Sequence, residues 1–149
     1  MRNILNYITN IFAVPACFFG LLLATMWLLI DSREFGPWNP KYLFLIHGTT
    51  VGNLGLVEPV NGSVAYMGES QDGTAPAYAY VTFKTTSLPG EIIETYNARC
   101  QSIGLAAQRQ TINPQKLGLT CVREGAEVGV TASRLDDATE VSINGWEFN

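Results

Sequence analysis

No charge interrupts the chain from Ile11 to Ile30, IFAVPACFFGLLLATMWLLI. At about 1.5 Å per helical residue, such a run spans about 30 Å, the thickness of a bilayer's hydrocarbon core. The pattern predicts a membrane anchor over residues 1–30. A helix of a water-exposed domain would carry a polar stripe, and this run has none. A cleaved signal peptide would have a shorter apolar core and a small-x-small site behind it. Here the run ends in Trp27-Leu28-Leu29-Ile30 and no Ala-x-Ala follows. Val14-Pro15-Ala16-Cys17 loosely resembles a lipobox, but thirteen uncharged residues follow Cys17, where a processed lipoprotein turns polar. Arg2 and the amino terminus precede the run; Asp31, Arg33 and Glu34 follow it. Positive charge stays on the cytoplasmic side, which predicts a single pass through the cytoplasmic (inner) membrane with the bulk of the chain in the periplasm. The reverse topology stays open. Trp27, Phe35 and Trp38 fall where an interfacial aromatic belt is expected.

Residues 31–41, DSREFGPWNPK, read as a juxtamembrane linker, since two prolines and a glycine oppose regular structure. Residues 42–149 read as a soluble α+β domain. Tyr42 to Ile46 is expected as its first strand, and the glycine-spaced stretch behind it is left unassigned. Val60-Asn61-Gly62-Ser63-Val64 carries a hairpin signal, and Gln71-Asp72-Gly73-Thr74 a turn signal. From Ala77 to Thr85 the residues alternate, with Ala77, Ala79, Val81 and Phe83 on one face and Tyr78, Tyr80 and Thr82 on the other.

The period then changes to that of a helix. Ser87 is placed to cap it, Pro89 suits its first turn, and Glu91 and Glu94 complement its dipole. Ile92, Ile93, Tyr96, Cys100 and Ile103 form the apolar stripe, and Gly104 ends it. Strands are expected over Leu105–Ile112, Leu117–Arg123, Val128–Arg134 and Thr139–Phe148, with turns at Gly125 and Asp136-Asp137. The fold class is α+β: one helix on an antiparallel sheet of five or six strands.

Composition narrows the partners. Residues 31–149 hold all thirteen acidic residues and eight of the nine basic ones, a net charge of −5. That disfavours nucleic acid and anionic lipid head groups. Apart from Cys17, the cysteines are Cys100 and Cys121. Cys121 shares its strand face with Leu117 and Leu119, while Cys100 lies on the helix stripe. Both therefore face the helix–sheet interface, as a disulfide in an oxidising compartment requires and as two packed thiols would equally allow.

Catalytic chemistry finds little support. The lone histidine, His47, lacks company, and a single histidine is usually a surface or packing residue. Asp136, Asp137 and Glu140 cluster where solvated charge is expected at a turn. Gly48, Gly52 and Gly55 lack the Lys-Ser/Thr of a phosphate loop. The expectation is a protein that is not an enzyme, with no metal or cofactor. A shared outer face of Tyr78, Tyr80, Trp146 and Phe148 is the candidate partner-binding surface, provided that residues 42–68 do not cover it. The functional expectation is a membrane-anchored extracytoplasmic protein-binding module, in concrete form an immunity protein that neutralises a secreted toxin in the periplasm. The alternative is a structural or accessory subunit of an envelope membrane complex. For that reading, Gly20 and Ala24 form a small-xxx-small pair suited to close helix packing.

Overall fold

The strand-period segments assemble into one sheet in a computed structural model of the chain, which describes residues 18–23, 34–69 and 76–148. The strands are β1 (Ala65–Glu69), β2 (Ala77–Thr85), β3 (Ala106–Asn113), β4 (Lys116–Arg123), β5 (Ala126–Leu135) and β6 (Ala138–Glu147). Their order across the sheet is β1-β2-β6-β5-β4-β3, with every pair antiparallel. Among the described residues from 34 onward, three helices accompany them: α1 (Lys41–Leu45), α2 (Thr50–Leu54) and the longer α3 (Pro89–Ser102). The molecule is a small α+β domain with one substantial helix packed on a six-stranded antiparallel sheet.

The chain divides into two units, Met1–Ser32 and Arg33–Asn149. In the first, residues 18–23 are helical. Most of the run expected as an anchor lies outside the described residues, as do Arg2, Cys17 and Trp27. Among the described residues, no helix is long and apolar enough to cross a membrane.

Alternation in the second unit sends one side chain of each pair into a single core. Across the sheet, Tyr66, Val81, Ile143, Val130 and Leu119 stand in one row, and Gly68, Ala79, Gly145, Val128 and Cys121 in the next. Helix α3 lays Ile92, Ile93, Tyr96 and Cys100 against this face. Cys100 and Cys121, both fully buried, are joined by a disulfide with their Cα atoms 6.1 Å apart. Glu91 reaches back from the first turn of α3 to accept the Leu88 N–H at 2.9 Å. The cap position is Leu88, not Ser87, whose hydroxyl donates instead to Glu58 at 3.1 Å.

Three further expectations change. Tyr42–Ile46 is not a strand, since Lys41–Leu45 forms helix α1. A short apolar run has no decisive period, and here the flanking residues choose the helix. Pro40 presets a helical φ of −53°, and the Asn39 side chain accepts the Lys41 N–H at 3.0 Å. Tyr42 and Ile46, one turn apart, then both face the sheet, with Tyr42 edge-on to Tyr66 at 4.9 Å. The Asn61-Gly62 turn forms, with Gly62 at φ +75°, but it does not join two mutually paired strands. Pro59 on one side of it bridges Thr85, and Ala65 on the other pairs with Thr82, so both flanks lie along β2. Ser63 secures this kink by accepting the Lys84 N–H at 3.0 Å and donating to the Val60 carbonyl at 2.6 Å. Finally, Phe35 is not a belt residue. It is buried, it exchanges two 2.8 Å backbone hydrogen bonds with Tyr66, and it stacks on that ring. The Gln71–Thr74 turn lies outside the described residues.

Candidate protein-binding face

Helices α1, α2 and α3 all pack on one side of the sheet. Helix α1 and its C-cap place Leu45 and Ile46 over Gly68, while α2 places Val51 over Gly145. Both glycines belong to the core-facing rows. Residues 42–68 thus pack beside α3 or extend the sheet edge, and among the described residues no element is stacked on the opposite face.

That opposite face is ordered by register. Its end row reads Glu69, Tyr78, Trp146, Glu127, Val122 and Ala106 from edge to edge. The next row holds Met67, Tyr80, Asn144, Gly129, Thr120 and Gln108. Tyr78 and Trp146 are directly opposed, with ring centroids 4.4 Å apart. Tyr80, two residues along β2, stacks near-parallel on Tyr78 at 6.4 Å. The three rings therefore form one continuous cluster of the kind that stabilises cross-strand pairs. Trp146 keeps 45% of its surface exposed. Burial raises the Tyr78 hydroxyl above the usual tyrosine range, aided by the neighbouring Tyr80 and by the Glu69 carboxylate.

Phe148 joins the cluster less directly. It follows β6, donates its N–H to the Gly125 carbonyl at 2.9 Å, and is 58% exposed. Between it and Trp146 opens a groove of about 390 Å³, with Pro76, Val122 and Glu127 among its walls. Val122 and Glu127 escaped the sequence reading although strand parity could have found Val122, which alternates with inward Leu119 and Cys121. Met67 and Glu69 carry no such signal, because the five residues of β1 are too short and too mixed to show an alternation.

The other residues considered for chemistry are placed apart. His47 is exposed behind α1. Asp136 and Asp137 form the β5–β6 turn, with Asp136 at φ +42°. Among the described residues, no group of three or more His, Cys, Asp or Glu side chains is arranged to hold a metal ion. One polar junction has a structural role: Glu147 accepts both the backbone N–H, at 2.6 Å, and the hydroxyl of Thr50 at the start of α2. It fastens α2 to the end of β6.

The class is thus a two-layer α+β domain with one helix-covered face and a second face that bears an aromatic cluster and that no element among the described residues covers. No protein-family model matches the chain, and no curated protein or solved structure matches it either.

Proposed function

We propose that this protein is a membrane-anchored, extracytoplasmic binding module that captures another protein through the open face of its sheet. Residues 1–30 hold it in the inner membrane, and the domain works in the periplasm. In its most concrete form it is an immunity protein that neutralises an incoming toxic effector. The observation that carries the reading is the Tyr78–Tyr80–Trp146 cluster on a face that no described element covers. Tyrosine and tryptophan dominate binding hot spots, because they offer large rigid area and a polar tip. The groove beside Trp146 and Phe148 offers an anchor pocket. The Cys100–Cys121 bridge suits an oxidising compartment, and the uncharged Ile11–Ile30 run suits an anchor that concentrates the domain at a surface.

The test is crosslinked affinity capture of the full chain from its native host membrane, tagged after Asn149. One secreted partner is expected, held equally by a chain whose anchor is replaced with an unrelated one. Trp146→Ser should weaken that partner by about 2 kcal/mol, roughly thirty-fold. Recovery of integral membrane proteins that vanish when the anchor is swapped would sink the proposal in favour of a subunit of an envelope complex.

A further inference from the structure

A second apolar surface lies away from the aromatic cluster. Trp38, in the turn before α1, is 97% exposed; Leu43 and Phe44, on α1, are 63% and 73% exposed. The helix turns Tyr42, Leu45 and Ile46 toward the sheet, which leaves the large side chains at 43 and 44 facing outward. Three bulky apolar side chains within seven residues are thus presented to solvent.

Charge sets this segment apart. In a domain of net charge −5, no acidic residue occurs between Phe35 and Val57. The basic residue there, Lys41, is buried. The segment that presents Trp38, Leu43 and Phe44 is therefore apolar at its tip and contributes no carboxylate of its own. Aromatic and leucine side chains without nearby carboxylates are what the head-group region of a bilayer accepts.

Chain connectivity supplies the partner. The uncharged run ends at Ile30, and Trp38 follows eight residues later. Eight residues reach at most about 28 Å when fully extended, so a bilayer holding that run keeps Trp38 within that distance of its surface.

We propose that Trp38, Leu43 and Phe44 insert into the head-group layer of the bilayer and seat the domain on the membrane. The lipid contact is sequence-independent and apolar. It rests on the anchor reading above. It leaves the Tyr78–Trp146 face available to a protein partner, since those rings belong to a different surface.

The experiment uses the full chain in phosphatidylcholine liposomes whose acyl chains are brominated either near the head group or deep in the tails. The sequence has three tryptophans, Trp27, Trp38 and Trp146, so three variants each keep one and replace the others with Phe. The Trp38-only chain is expected to be quenched at least two-fold more by shallow than by deep bromines. The Trp27-only chain should also be quenched by lipid, and the Trp146-only chain should be quenched by aqueous iodide and not by lipid. Adding Leu43→Ser and Phe44→Ser to the Trp38-only chain should at least halve its lipid quenching. Both positions are exposed, so folding is not at stake. Lipid quenching of Trp27 without quenching of Trp38 overturns the seating and leaves the anchor intact. Absence of quenching at Trp27, with the chain failing to float with the liposomes, overturns the anchor reading itself.

Discussion

Gly145 lies directly under α2: a Cβ at this position would lie 2.6 Å from Val51 Cγ2 and 3.2 Å from Val128 Cγ2. Gly145→Ala therefore forces core atoms apart and should cost about 1–3 kcal/mol, read as a lowered Tm or denaturation midpoint. Tyr96 makes a different demand. Its ring is fully buried, and its hydroxyl donates to the Gly55 carbonyl at 2.8 Å. Burial drives its pKa well above the usual tyrosine range, outweighing the lowering effect of the Arg99 guanidinium; Tyr66 adds to the rise. The unfolded chain then loses this proton at an ordinary pKa of about 10, while the folded chain keeps it. Fewer protons are bound in the unfolded state above that pH, so stability falls as pH rises through it. Thermal melts from pH 8 to 11 should show a steeper alkaline loss for the natural protein than for Tyr96→Phe. The variant should also be about 1 kcal/mol less stable at neutral pH, having lost the bond to Gly55.

At the scale of elements, α3 is held by more than its apolar stripe. Arg99 on α3 donates to the Leu54 carbonyl at 2.5 Å and to that of Leu56 at 3.3 Å, so it closes the turn that follows α2. Arg109 on β3 forms a two-pronged ion pair with Glu94, which is exposed and contributes little. The disulfide contributes more. It links α3 to β4 across a sequence separation of 21 residues, worth roughly 3 kcal/mol on the chain-entropy model. Unfolding of the Cys100→Ser/Cys121→Ser double variant should show a loss of that order, and dithiothreitol should destabilise the natural protein but not the variant. Equal stability with and without reductant would show that the bridge adds nothing. The helix and the facing of both cysteines are legible in the sequence, because α3 combines a clear 3.6 period with Pro89 at its start and Gly104 at its end; its cap is not, since Glu91 reaches back to Leu88 while Ser87 turns to Glu58. Helices α1 and α2 were not legible. Five residues each are too few to display a period, and local groups such as Asn39, Pro40 and Thr49 decide them.

For the domain as a whole, the decisive feature is that α1, α2 and α3 all lie on one side of the sheet. Adjacent residues of β6 therefore serve opposite ends: Gly145 packs under Val51, while Trp146 points to the open face. Their substitutions should separate cleanly. Gly145→Ala should lower Tm and leave partner affinity per folded molecule unchanged. Trp146→Ser should abolish most partner binding while shifting Tm by no more than a few degrees, because the ring gives up only a half-buried contact. Measuring Tm and capture efficiency side by side checks both. A loss of folding in Trp146→Ser would instead assign the aromatic cluster to stability alone.

Periodicity along the chain was enough to determine which residues of β2, β4 and α3 face inward, that Cys100 and Cys121 meet at one interface, and that the domain is α+β. Alternation and helical spacing record burial locally, residue by residue, and so can be read without the fold. Neighbourhood between distant strands is another matter. The last strand, β6, inserts between β2 and β5, and only that placement sets Trp146 against Tyr78 and makes scattered aromatics into one cluster. The same holds for residues 42–68: their pattern did not say which face they cover, and packing against Gly68 and Gly145 put them beside α3. Strand order and face coverage depend on how the complete set of apolar surfaces is buried together, which no single segment encodes.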